Sequence, residues 1–331
     1  MMRRRVARME PSGLAFGKPK GELRVIRDRR SRISLRSMRA TVVAASLGLM
    51  LTHANAQSAV QPVHADTLAR DITRTIVTRG DTRIEVLSQG AGPLIVLLPS
   101  LGRGAEDFDE IAVTLAMAGF RVLRPQPRGI GASQGPLASI TLHDYADDVV
   151  AAIEQAKGGP AFVVGHAFGN RVARLLATVR PDLVRAVGLI AANVGRDPSP
   201  PKVREAIKAS ADLSLPRAQR LAALQLAFFA PGNDAHAWLE GWHPDVLAAE
   251  RIAGDKTPRE EDYAAGHAPV LYLQPDHDPL ASIDNAADYK RALGDRVTVV
   301  VVPHSGHAAI TEQPAFVATE LIKYARTLQP Q

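Results

Sequence analysis

A chain of 331 residues that is 46% hydrophobic is long enough to bury one large core, and no segment repeats at a fixed period, which excludes a solenoid. The formal charge of +6 originates in Met1 to Ala40, where 13 Lys and Arg stand against 3 Asp and Glu, so the rest is mildly acidic and carries no nucleic-acid footprint. The chain has no cysteine, which fits either an oxidising or a reducing compartment.

From Met38 the chain reads MRATVVAASLGLMLTHANAQ. A positive start leads into an apolar stretch, Thr41 to Leu51, too short to span a bilayer, and then into the small-x-small site Ala54-Asn55-Ala56. Residues 1–56 are therefore expected to be a leader and signal peptide. The mature protein would be periplasmic or secreted, with no stable membrane span once the signal is removed. The arginine-rich residues before Met38 read as a long n-region or as an overextended start, with Arg29-Arg30 a weak twin-arginine match.

After Gln57 the pattern becomes regular. Strands are expected at Thr73 to Val77, Arg83 to Leu87, Leu94 to Leu98, Arg121 to Leu123, Phe162 to Val164, Ala186 to Ile190, Val270 to Leu273 and Val297 to Val302. Helical periodicity falls at Ala105 to Ala118, Leu142 to Ala156, Asn170 to Thr178 and Ala315 to Leu328. Several strands are unbroken apolar runs, as expected for a parallel sheet covered on both faces. Residues 57–331 thus read as one α/β domain, a mostly parallel sheet with an antiparallel start, flanked by helices. The alternation breaks at about 195–268, where Val203 to Ala211 and Arg217 to Phe229 are helical and prolines punctuate the chain; this reads as a helical cap inserted between two strands.

Five short motifs sit in the loops after strands. Gly165-His166-Ala167-Phe168-Gly169 has the glycine frame of a nucleophile elbow, G-x-S-x-G, with Ala167 at the serine position. Leu97-Leu98-Pro99-Ser100-Leu101-Gly102 follows the third strand and Arg128-Gly129-Ile130-Gly131-Ala132-Ser133 the fourth. Asp276-His277-Asp278-Pro279 and Ser305-Gly306-His307 follow the last two. In this order and spacing the chain from about Ile72 onward resembles the α/β-hydrolase superfamily.

The resemblance implies an α/β-hydrolase fold, with His307 as general base and Asp278 as the acid that orients it, Asp276 being the competing choice. It also implies an oxyanion hole from the backbone N–H groups of Leu101 and Phe168. Alanine at 167 cannot attack a carbonyl. Ser100, beside Leu101, is a substitute nucleophile if its hydroxyl reaches His307; a serine ahead of a turn also commonly caps its own backbone. Ser133 and Ser305 are weaker substitutes. Alternatively His307 and Asp278 activate water or the substrate directly.

Both tryptophans of the chain, Trp238 and Trp242, fall in the expected cap with Phe228 and Phe229. Trp238 and Trp242 would share one helix face if that segment is helical, and the four rings suggest an apolar group on the ligand. Arg103 and Arg128 are possible carboxylate ligands. Metal and nucleotide motifs are missing from the sequence, so no metal and no cofactor is expected. Two functions follow: hydrolysis of an ester-like or other acyl small-molecule substrate without the usual elbow serine, or non-catalytic binding of a small apolar ligand or a protein partner in the inherited cleft. The signal-peptide order predicts that intact-mass measurement on native material gives a mature chain beginning near Gln57; a cytosolic form retaining Met38 to Ala56 contradicts this.

Overall fold

A computed structural model describes residues 71–195 and 199–328. The expected leader, its cleavage site and the expected start of the mature chain lie outside the described residues. Eight strands form one sheet: β1 (Thr73–Arg79), β2 (Thr82–Gln89), β3 (Leu94–Leu98), β4 (Arg121–Pro125), β5 (Ala161–His166), β6 (Val184–Ile190), β7 (Val270–Pro275) and β8 (Val297–Val302). Their order is β1-β2-β4-β3-β5-β6-β7-β8. The β1–β2 and β2–β4 pairs are antiparallel and the others parallel, so the antiparallel start and parallel remainder match the expectation.

The apolar runs are continuous because each face of the sheet has its own core. Along β3, Leu94, Val96 and Leu98 join one buried cluster and Ile95 and Leu97 the other, the two-residue alternation of an extended strand. Helices α1 (Asp109–Met117) and α10 (Pro314–Thr327) supply Ile111, Leu115, Val317 and Leu321 to one cluster; α2 (Leu142–Ala156) and α3 (Phe168–Val179) supply Tyr145, Val149, Leu175 and Leu176 to the other. Helix α2 begins where expected because Asp144 Oδ2 accepts from the Thr141 N–H at 2.9 Å and its hydroxyl at 3.0 Å.

The helix expected from Ala105 splits. Residues Ala105–Phe108 form a 3₁₀ turn before α1, with the Ala105 N–H donating to Gln126 Oε1 at 2.9 Å. Between β6 and β7 the described chain is helical: α4 (Pro201–Ala211), α5 (Arg217–Ala227), a 3₁₀ turn at Ala235–Trp238, α6 (Pro244–Lys256) and α7 (Arg259–Tyr263). The last two were not anticipated, since Pro244 reads as a breaker in sequence but occupies the first helical position, where its missing N–H is no loss. Helices α8 (Asp284–Leu293) and α9 (Ala309–Glu312) complete the described fold.

A third apolar cluster joins Val203, Leu224, Phe228, Trp238 and Trp242 to Ala308, with Leu280 packed against it. The insertion therefore rests on the loops that follow β7 and β8. Because β3, β5, β6, β7 and β8 run parallel, their carboxyl ends share one edge, the usual place for a ligand crevice.

Candidate functional site

The elbow is built from close backbone contacts. A Cβ on Gly165 would lie 2.2 Å from the carbonyl carbon of Gly169, and one on Gly169 would lie 2.4 Å from the carbonyl oxygen of Leu98, so neither position tolerates a side chain. Ala167 sits between them at φ 48°, ψ −107°, a left-handed conformation that is costly for any residue with a Cβ. It is held there by its own N–H, which donates to the Ile190 carbonyl at 3.0 Å. Asn170 reinforces the bond: its Nδ2 donates to the same carbonyl at 2.9 Å, and its Oδ1 accepts from the Ile190 N–H at 3.2 Å.

The loops after β7 and β8 bring His307 and Asp278 together. His307 Nδ1 lies 2.9 Å from Asp278 Oδ2 and 3.1 Å from Oδ1, with both residues buried. The Asp278 Oδ1 also accepts from the N–H groups of Leu280 at 2.8 Å and Ala281 at 3.0 Å. With Nδ1–H committed to the carboxylate, Nε2 is the basic nitrogen, and it bonds to no described residue. Asp276 has different work: it pairs with His277 at 2.7 Å and accepts from the N–H groups of His304 and Ser305, tying the two loops together.

His166 was passed over in the sequence because it is the variable residue of the elbow frame. Fully buried, it donates from Nε2 to the His307 carbonyl at 2.7 Å, and its ring lies 5.6 Å from that of His307. Burial, with the nearby His307 adding to it, pushes its pKa down to about 3, so it remains neutral and fixes the base loop by a hydrogen bond rather than by charge. Glu312 braces the same loop from the other side. It accepts from the N–H groups of Gly306 and Ala230, both at 2.7 Å.

These groups face a cavity of about 320 Å³ lined by Ser100, Leu101, Ala167, Phe168 and His307 on the sheet side and by Phe228, Trp242 and Glu250 on the insertion side. Leu101 and Phe168 both line it, and neither N–H is engaged by a described residue; that of Phe168 is a first-turn amide with no acceptor inside its helix. Ser100 is buried at the cavity, but its hydroxyl makes no hydrogen bond to His307. Nor does it cap its own turn, which is closed by the Ser100 carbonyl accepting from the Arg103 N–H at 3.1 Å. The hydroxyls of Ser133 and Ser305 donate to the carbonyls of Gln126 and Val302, both at 3.0 Å.

The four aromatic residues divide. Phe228 and Trp242 line the cavity, whereas Phe229 and Trp238 pack behind them, ring to ring at 5.7 Å. The two tryptophans do not share a helix face. Trp238 ends the 3₁₀ turn, Gly241 adopts φ 79°, and Trp242 Nε1 donates back to the Trp238 carbonyl at 2.6 Å. Arg103 is unavailable as a carboxylate ligand, because it grips Asp107 at 2.6 and 2.8 Å and stacks over Trp238 at 4.7 Å. Arg128 is likewise paired with Asp148 at 2.6 and 2.9 Å. Arg251 and Arg259 also line the cavity, without an ion pair to a described residue.

Comparisons with known proteins agree with this fold. The family model described as alpha/beta hydrolase fold matches residues 93–314. Epoxide hydrolase 2 of Siraitia grosvenorii is 29% identical over 35% of this chain and 37% of its own length. The AB hydrolase superfamily protein YfhM of Bacillus subtilis is 35% identical over 31% of this chain and 36% of its own length. The chain thus aligns with little more than a third of these two relatives. The crystal structure of an esterase from Exiguobacterium antarcticum superposes with a TM-score of 0.65 at 18% identity, covering 77% of this chain and 100% of the esterase, a likeness of fold.

His166→Phe keeps a ring of similar volume but leaves the buried carbonyl of His307 without its donor. It is expected to cost about 1–3 kcal/mol, read as a lower urea midpoint; an unchanged midpoint would show that the bond carries no weight.

Proposed function

We propose that this chain, which belongs to the α/β-hydrolase family, hydrolyses small acyl substrates by direct attack of water rather than through a covalent acyl-enzyme. The observation that carries the reading is the buried, oriented His307–Asp278 pair, whose His307 lines the same cavity as Ala167. His307 Nε2 takes a proton from water as the water oxygen bonds to the acyl carbon, and Asp278 stabilises the imidazolium that results. The Leu101 and Phe168 amides receive the oxyanion. The space over the Ala167 methyl, with no hydroxyl to compete, is where the attacking water or the acyl group sits. Phe228 and Trp242 support an apolar group on the substrate.

A general base contributes on the order of 10²- to 10⁴-fold, so His307→Ala should lower kcat by about 10²-fold or more in a screen of esters, lactones and amides. Asp278→Asn should lower it too, because the orienting acceptor is weakened. Ser100→Ala divides the routes: a small effect supports water, and a loss matching His307→Ala supports a serine nucleophile. The second reading, a binding protein, is favoured by the missing hydroxyl at Ala167; it prevails if nothing is turned over and a ligand is found whose affinity depends on Trp242 but not on His307.

Ala167→Ser supplies the hydroxyl to a frame that already holds the strained backbone. It is expected to give a burst of acyl-enzyme with an activated ester. A folded variant without a burst would contradict the idea that base and amides are already arranged.

A further inference from the structure

Among the polar groups of the cavity that the chemistry above leaves unused, one is a buried carboxyl. Glu250, on α6, is 1% exposed and lines the cavity that holds Ala167 and His307. It also lines a second, smaller void of about 40 Å³ beside Phe168 and Gly169, so the residue borders both. Its Oε2 accepts the Gly102 N–H at 2.6 Å, and Gly102 directly follows Leu101. The carboxyl is thus tied to the strand loop that carries one proposed oxyanion donor.

No cation neutralises it. Among the described residues Glu250 makes no ion pair, and three nearby arginines are committed elsewhere: Arg128 to Asp148, Arg171 to Asp262 at 2.5 Å and Arg103 to Asp107. Arg251 and Arg259 also line the main cavity, with Asp255 beside them and His307 opposite. In the smaller void the other polar groups are Gln126, Asp148 and Tyr145, and the buried Tyr145 hydroxyl has no hydrogen-bond partner among the described residues. A buried carboxyl so placed favours its neutral form. Burial pushes its pKa up to about 8, the Gly102 N–H pulling the other way. Because Oε2 is occupied as an acceptor, the proton of the neutral form belongs on Oε1.

The geometry points to Glu250 as the acid of this site, donating a hydrogen bond from the insertion side to the leaving oxygen of the substrate and then transferring its proton to it. The inference rests on the water-attack reading. His307 removes a proton from water, and the water oxygen bonds to the acyl carbon. The bond from that carbon to the leaving oxygen then breaks, its electron pair stays with the oxygen, and the oxygen takes the Glu250 proton. Acid and alcohol leave, and the imidazolium proton returns to the Glu250 carboxylate through solvent, so that one water is consumed and both groups are reset. Attack and departure are thereby divided between two residues on different elements.

The division is tested with two acetate esters, 4-nitrophenyl acetate, whose leaving group departs without help, and benzyl acetate, whose alkoxide needs a proton. Glu250→Gln, shown to be folded, is expected to lower kcat for the benzyl ester by about 10²-fold while leaving the nitrophenyl ester within about threefold, the scale of a lost acid. His307→Ala should lower both. Equal losses for both esters in Glu250→Gln would overturn the acid, whereas no loss in His307→Ala would overturn the water-attack reading and leave Glu250 to be judged by binding. That second measurement, also decisive if neither ester is turned over, is the affinity for 2,4-dinitrophenolate, an anion at every pH used. In the wild type it should weaken as pH rises through about 8, and in Glu250→Gln this fall should be absent. Superimposable pH curves, or no binding to either protein, would overturn the proposal. If Glu250→Gln does not fold, Glu250→Asp withdraws the carboxyl by one methylene and should show the same selective loss.

Discussion

Where β5 turns into α3, the backbone of Gly169 passes so close to Leu98 and Pro99 that a single added carbon would collide with them. This contact fixes the angle at which the helix leaves the sheet, and with it the left-handed conformation of Ala167. Strain of that kind costs of order 1–3 kcal/mol and persists only where the surroundings impose it. Here they do, through the Gly169 N–H to the Pro99 carbonyl at 3.1 Å, the Ala167 N–H to Ile190 and the Asn170 clamp. The same turn leaves the Phe168 N–H without an acceptor and points the start of α3 at the cavity. An elbow is therefore kept in full working form around a methyl group.

The base is fixed with comparable economy. His307 meets Asp278 through its side chain and His166 through its carbonyl, while Glu312 holds the preceding glycine. Gly306 lets this loop lie against the insertion, since a Cβ there would stand 2.5 Å from the Phe228 carbonyl. The insertion and the base loop thus form one packed unit through Phe228, Ala230 and Ala308.

Much of this was legible in the sequence, for identifiable reasons. All eight strands were expected, several of them from unbroken apolar runs, because the parts of a sheet covered on both faces leave few polar positions. The elbow glycines were legible in the motif itself, and the pairing of Asp278 with His307 through the family resemblance, which left Asp276 as a competing choice. What was not legible depends on three-dimensional company. Glu250 looks like a surface glutamate in Ala248-Ala249-Glu250-Arg251 until α6 turns it inward. His166 looks like a spacer, and Arg103 and Arg128 look free until Asp107 and Asp148 are seen to hold them. The tryptophan pair misled for a local reason: an interval of four residues is a helical signal only if no glycine with positive φ intervenes, and Gly241 does.

The account stands on the idea that oriented water replaces the missing serine. The most direct measurement is intact mass of the enzyme, acid-quenched during steady turnover of a 4-nitrophenyl ester, with Ala167→Ser as the positive control. The account predicts product release from the wild type with no acyl adduct, and an adduct on Ala167→Ser. An acyl group on the wild type at Ser100 would contradict it.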